Sequence, residues 1–160
     1  MARAGRRAAQ DLENAHITAL ASTGTSLLAG AVGGAYRSTD AGARWVPADT
    51  PIIGTIKAFA VIGSTVYVAT YGSGVYRSID DGVSWTLFNT GLTNMTVWAL
   101  AVSGTTLFAG TTFGVFRSTG GAWSPVQGGP SAVDVASLAT TNAHLFAGVG
   151  FDGVWRHSLN

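Results

Sequence analysis

Residues 67–78 read Tyr67-Val68-Ala69-Thr70-Tyr71-Gly72-Ser73-Gly74-Val75-Tyr76-Arg77-Ser78, two short β-branched and aromatic runs around a glycine turn. Runs of this length joined by a tight Gly turn are hairpin material. The pattern recurs. Leu27-Leu28-Ala29-Gly30 leads to Ala35-Tyr36-Arg37-Ser38, Leu107-Phe108-Ala109-Gly110 to Val115-Phe116-Arg117-Ser118, and Leu145-Phe146-Ala147-Gly148 to Val154-Trp155-Arg156. The arginine returns at 37, 77, 117 and 156, a spacing of 40, 40 and 39 residues. Self-similarity at such a period marks a repeat architecture, in which each unit buries its apolar face against its neighbours.

Each copy reads as four short strands. In the third, Thr96 to Val102, Thr106 to Thr111, Val115 to Ser118 and Trp123 to Gln127 are separated by the turns Ser103-Gly104-Thr105, Thr112-Phe113-Gly114 and a Gly-rich stretch. Four strands in about 40 residues is the size of a β-propeller blade. No stretch after residue 15 keeps a 3.6-residue period, which disfavours an α/β solenoid. The first strand of each unit is small and apolar: Thr18-Ala19-Leu20-Ala21, Ala58-Phe59-Ala60-Val61, Trp98-Ala99-Leu100-Ala101 and Ala136-Ser137-Leu138-Ala139. The predicted fold is all-β, a propeller of four-stranded antiparallel blades with four blades encoded. The aromatics Tyr36, Tyr76, Phe116 and Trp155 hold one equivalent place and are expected between blades.

Two copies continue into a sharper pattern. Ser38-Thr39-Asp40-Ala41-Gly42-Ala43-Arg44-Trp45 and Ser78-Ile79-Asp80-Asp81-Gly82-Val83-Ser84-Trp85 both read Ser-x-Asp-x-Gly-x-x-Trp. The third copy, Ser118-Thr119-Gly120-Gly121-Ala122-Trp123, loses the Asp and two residues, and the fourth stops before the turn. In such a turn the Asp is expected to accept from backbone N–H groups one or two residues on. The Gly supplies a positive φ, and the Trp folds back as a plug with its N–H free for a carbonyl.

This pattern resembles the Asp-box, or BNR, repeat of sialidase-type β-propellers, over residues 16–160. The resemblance includes sialidases, sortilin-like receptors, photosystem II assembly factors and glycoside hydrolases. It implies a structural role for Ser38, Asp40, Gly42, Trp45, Ser78, Asp80, Gly82 and Trp85, away from any active face. It carries fold and hardly any function. Such propellers have six to eight blades, and this chain has material for four. A closed small ring, a half-ring completed by self-association and a fragment of a larger propeller all satisfy the repeat. By repeat register, residues 5–9 match the fourth-strand region that the last copy lacks, so they could clasp the ring and remove an exposed edge.

Composition narrows the chemistry. The 160 residues are 47% hydrophobic and only 11% charged, with no cysteine, so thiolate metal sites and Cys nucleophiles are excluded. Without Arg3, Arg6 and Arg7 the rest carries six basic against eight acidic residues, which gives no nucleic-acid footprint. Residues 1–15 read as a basic N-terminal segment and 16–160 as the repeat domain. No apolar run spans a membrane and no signal peptide follows the arginines; secretion or a cell-surface position is favoured by the low charge. No cofactor and no metal is expected.

A sialidase chemistry would need a Tyr–Glu pair, but Glu13 is the only glutamate and lies outside the repeats. The four recurring arginines are repeat-equivalent and face alike, so their expected work is packing along the sheet and bonding a neighbouring turn. No acids are paired by spacing for glycoside hydrolysis, and His16, His144 and His157 each stand alone. No catalytic residue is assigned, and the enzyme reading is disfavoured. The turns between second and third strands carry Tyr71, Phe113, Phe151 and Asp152, which fit a binding rim for a glycan or a protein. Three readings stand: a non-catalytic binding or scaffold module, a fragment or relative of a carbohydrate-active enzyme, and a half-propeller that assembles with itself.

Overall fold

The structure is a computed structural model that describes residues 11–49 and 52–160. The proposed clasp at residues 5–9 lies outside the described residues. Fifteen strands and no helix form among the described residues. The first sheet holds β1 (Ile17–Ser22), β2 (Leu27–Ala31), β3 (Gly34–Ser38) and β4 (Val46–Pro47). The second holds β5 (Thr55–Ile62), β6 (Thr65–Tyr71), β7 (Gly74–Ser78) and β8 (Thr86–Leu87). The third holds β9 (Val97–Ser103), β10 (Thr106–Thr111), β11 (Gly114–Ser118) and β12 (Ser124–Pro125). The fourth has three strands, β13 (Val135–Thr140), β14 (His144–Val149) and β15 (Gly153–Ser158). Within each sheet the strands follow chain order and run antiparallel. The outermost strands, two residues each, are shorter than the expected Trp123 to Gln127. They pair on one side only, and Pro47 and Pro125 cannot donate to a further ladder.

The sheets meet face to face along their inner strands, β1 against β5, β5 against β9, and β9 against β13. Between successive sheets lie three apolar cores. The first sets Leu28 and Ala35 of blade one against Val66, Val68, Tyr76 and Trp85 of blade two. The second sets Tyr67, Ala69 and Val75 against Leu107, Ala109, Phe116 and Trp123. The third sets Phe108 and Val115 against Leu145, Ala147 and, at its margin, Trp155. Strand alternation explains this division: Val66 and Val68 point to one face of β6, Tyr67 and Ala69 to the other. Burial of a side chain such as Val75 contributes about 1.5–3 kcal/mol. Of the expected aromatics, Tyr76 and Phe116 are buried in these cores and Trp155 packs at the edge of the third. Tyr36, only half buried, belongs to none of them, because the face of the first blade on which it lies meets no other blade among the described residues.

One recurring position lets the blades approach. A Cβ on Gly30 would strike Ile56 of the next blade, and one on Gly110 would lie 2.8 Å from Val135 Cγ1. Ile56 and Val135 are fully buried knobs held in those slots. Four blades joined by three cores form an open arc of a β-propeller among the described residues; β1 and β13 do not pack on each other as successive inner strands do.

Candidate functional site at the rim

Each inner strand carries a β-bulge near its start, between Ile17 and Ala19, Ile56 and Ala58, Val97 and Ala99 in effect, and Val135 and Ser137. The unpaired residues are Thr18, Lys57, Trp98 and Ala136. A bulge turns a side chain out of the regular pleat, and bulges concentrate beside functional sites. The ladder corrects the sequence alignment of the second copy by one residue. Ala58, Phe59 and Ala60 are the counterparts of Ala19, Leu20 and Ala21, since Ala58 pairs with Ala69 as Ala19 pairs with Gly30. A one-residue slip exchanges the two faces of a strand. In the corrected register Lys57, the only lysine of the chain, aligns with Trp98.

The ammonium of Lys57 sits 5.8 Å from the ring centre of Tyr71 and 5.3 Å from that of Trp98. The two rings are 5.3 Å apart and inclined by 54°. Tyr71, at the end of β6, is 52% exposed. Its turn is fixed by bonds to the segment that leads into the third blade: Gly72 N and Gly74 N donate to the Met95 carbonyl at 3.1 and 2.8 Å. The same connection recurs from Gly33 N to Gly54 O at 2.9 Å and from Gly114 N to Val133 O at 3.2 Å. The rim turns are therefore held by their neighbours.

Of the rim residues expected from sequence, only Tyr71 enters a cluster. Phe113, Phe151 and Asp152 lie exposed on equivalent turns, and neither phenylalanine has an aromatic partner among the described residues. Lys57 and Trp98 were missed by sequence reasoning. The signal was there as a single lysine in an otherwise small, apolar inner strand, but the slipped alignment hid its position. Cation–aromatic contacts contribute about 0.5–1 kcal/mol at exposed sites and ~2 when desolvated. Two aromatic faces beside an ammonium offer stacking area and a charge in one place.

The Ser-x-Asp-x-Gly-x-x-Trp turns are engaged internally. Ser38 Oγ accepts from Gly42 N at 2.9 Å and Asp40 Oδ1 from Arg44 N at 2.8 Å. Ser78 and Asp80 repeat this with Gly82 N and Ser84 N at 2.8 and 2.9 Å. The aspartate thus reaches four residues on, not one or two, because Ala41 and Gly42, like Asp81 and Gly82, both adopt positive φ and curl the chain back over it. Trp45 Nε1 donates to Gly42 O at 3.2 Å, whereas buried Trp85 Nε1 has no partner among the described residues. The Arg44 and Ser38 bonds hold the Asp40 carboxyl below its ordinary value. Burial raises Asp80, but its bonds to Ser84 and Ser78 outweigh that and lower it. Asp81 turns outward to the preceding blade and accepts from Thr23, Thr25, Ser26 and Arg37. No group of three His, Cys, Asp or Glu that could hold a metal occurs among the described residues. The described residues contain no helix, and so none long and apolar enough to cross a membrane.

No protein-family model matches the chain, and no curated protein matches it. Solved structures do. The computationally designed Ika4 protein superposes with a TM-score of 0.76 at 17% identity, over 92% of this chain and 93% of that one. The computationally designed Ika8 protein gives 0.72 at 17% identity, over 89% of this chain but 46% of that one. The GH74 enzyme of Niastella koreensis gives 0.69 at 15% identity, over 93% of this chain and 29% of the enzyme. The chain thus spans under a third of that natural enzyme. These similarities are of fold: an all-β arrangement of antiparallel blades, as in the three proteins it superposes on.

Proposed function

We propose that this chain is a non-catalytic recognition module that binds an acidic glycan at the rim cluster of Lys57, Tyr71 and Trp98. The observation that carries the reading is the Lys57 ammonium at 5.3 and 5.8 Å from two ring centres, one of them half exposed. A sugar ring stacks on an aromatic face through its C–H surface, and a carboxylate or sulfate on that sugar takes the ammonium N–H groups. The non-catalytic part is supported by the aspartates of the two Ser-x-Asp-x-Gly-x-x-Trp turns. Asp40, Asp80 and Asp81 are all occupied by turn or cross-blade bonds.

Titration with a short polygalacturonate oligomer and with a neutral cello-oligomer, followed by tryptophan fluorescence, tests the reading. The acidic oligomer binds more tightly, more weakly at high salt, and at least tenfold more weakly to Trp98→Ala and Lys57→Met. Equal binding of both oligomers, or no change in the two variants, rules the site out. Turnover of a fluorogenic sialoside would instead favour a relative of a carbohydrate-active enzyme.

A further inference from the structure

The two end faces of the arc are the two halves of the interface that its interior uses three times. On the first blade, Ile17, Leu20 and Leu27 face outward. Ile17 corresponds to the buried knobs Ile56, Val97 and Val135, and Leu27 to the buried Val66, Leu107 and Leu145. Here Ile17 and Leu27 are only half buried and Leu20 is 70% exposed. On the fourth blade the opposite half is open. Val154 corresponds to Ala35, Val75 and Val115, which are all buried, yet it is 73% exposed. Phe146 corresponds to buried Leu28, Tyr67 and Phe108 and is half exposed. Gly148 holds the slot that takes Ile56 at Gly30 and Val135 at Gly110, but its nearest atoms all belong to Ser137 of its own sheet.

We infer that a second copy of this chain closes the ring, the Val154 face of each copy packing on the Leu20 face of the other. The occupant follows from the repeat: the face that fits Gly148, Phe146 and Val154 is one bearing a knob and apolar residues at the positions of Ile17, Leu20 and Leu27, and this chain carries that face. The contact is heterologous, so it propagates until the rotation closes. Closure with one copy would put a fourth core between blades four and one, and only three cores are present among the described residues. Two copies make eight blades, within the range of about 4–8 that propellers adopt, and three would exceed it. The inference stands apart from the glycan reading, since its readout is mass and not binding.

Light scattering after size exclusion, with native mass spectrometry, tests it on the full chain. The expected mass is twice the 16.3 kDa of one chain. Leu20→Arg and Val154→Arg each give monomers, with the β-sheet circular dichroism unchanged because both side chains are exposed within one copy. Mixing the two variants restores a dimer through the one interface that carries neither arginine. A monomeric parent chain, whether its faces stay open or are covered by residues 1–10, overturns the inference. So does an open-ended polymer, a dimer untouched by both substitutions, or a mixture that stays monomeric.

Discussion

Arg37 Nη2 donates to Asp81 Oδ2 at 2.7 Å across the boundary between the first and second blades. Arg37 Nε also donates to the Asp81 carbonyl oxygen at 2.8 Å, so one side chain is gripped by both the backbone and the carboxylate of the next blade's turn. Ser26 Oγ donates to the same carboxylate at 2.5 Å, and Thr23 and Thr25 add their hydroxyls. Asp81→Asn keeps the side chain that best tolerates its φ of 61° but removes the charge. A loss of about 1–2 kcal/mol follows, after allowance for partial exposure. Urea unfolding of the two proteins measures it.

The same carboxylate sets a pH dependence. Burial pushes Asp81 up, but the Ser26 and Thr23 hydroxyls, the Arg37 guanidinium and the Thr25 hydroxyl outweigh it and hold the group well below the usual carboxylate range. A folded-state pKa below the unfolded value of about 3.9 means that the folded state releases the proton more readily. The stabilisation is therefore complete above about pH 4 and is lost as the pH falls below it toward the folded pKa. Melting temperature against pH falls less steeply below pH 4 for Asp81→Asn than for the parent chain.

Arg77 is the counterpart of Arg37, and its circumstances are reversed. The third blade's turn lacks the aspartate, and Arg77 Nε is buried with no partner among the described residues, while the guanidinium lies 5.3 Å from the Phe88 ring centre. A buried donor left unpaired costs about 1–3 kcal/mol. Arg77→Met keeps the stem over Phe88 and removes that donor, so stability is unchanged or rises. Arg37→Met, which abandons Asp81, lowers it by about 1–2 kcal/mol. Parallel thermal melts separate the pair; equal losses would contradict the account.

Gly114 opens β11 with a φ of 96°, and a Cβ there would run into the Pro130 carbonyl oxygen that leads into the fourth blade. Backbone oxygen has no rotamer by which to yield. Gly114→Ala therefore costs about 3 kcal/mol or more. Gly104→Ala, at a φ of 58° with no atom within 4 Å of the added carbon, costs about 1 kcal/mol. Denaturant midpoints of the two variants give the comparison.

Ala41 stands in the first blade where Asp81 stands in the second, with φ of 58° and 61°. In the two-copy ring it faces Arg156, the counterpart of Arg37, on the second copy. Ala41→Asp supplies the missing anchor at a backbone conformation that Asp accepts more easily than Ala. The dimer dissociation constant falls roughly tenfold, read by analytical ultracentrifugation across a dilution series.

The repeat was legible because every interior blade meets the same neighbours, so Tyr76 and Phe116, or Val75 and Val115, were selected by the same surroundings. The turn residues Ser38, Asp40 and Gly42 were legible for a local reason: their partners lie within five residues. Lys57 was not legible as a neighbour of Tyr71 and Trp98. An extra residue in a strand leaves no mark in sequence, and without the ladder the copies align equally well one place over. Nor could sequence distinguish Phe113 and Phe151 from Tyr71, since an aromatic on a turn becomes part of a cluster only if the next blade brings something to meet it. The open arc was equally hidden, because the exposure of Leu20 and Val154 depends on what lies beyond the ends and not on the residues beside them.

The fastening of each rim turn to the lead-in of the following blade, Gly33 to Gly54, Gly72 and Gly74 to Met95, and Gly114 to Val133, runs in one direction along the chain. A linear array whose parts lean only on adjacent parts loses order at its extremities first. In the monomeric Leu20→Arg variant, amide hydrogens of β6 and β10 thus outlast those of β2 and β14 in deuterium, and closing the circle with a second copy erases that gradient by leaving no outermost sheet at which to fray.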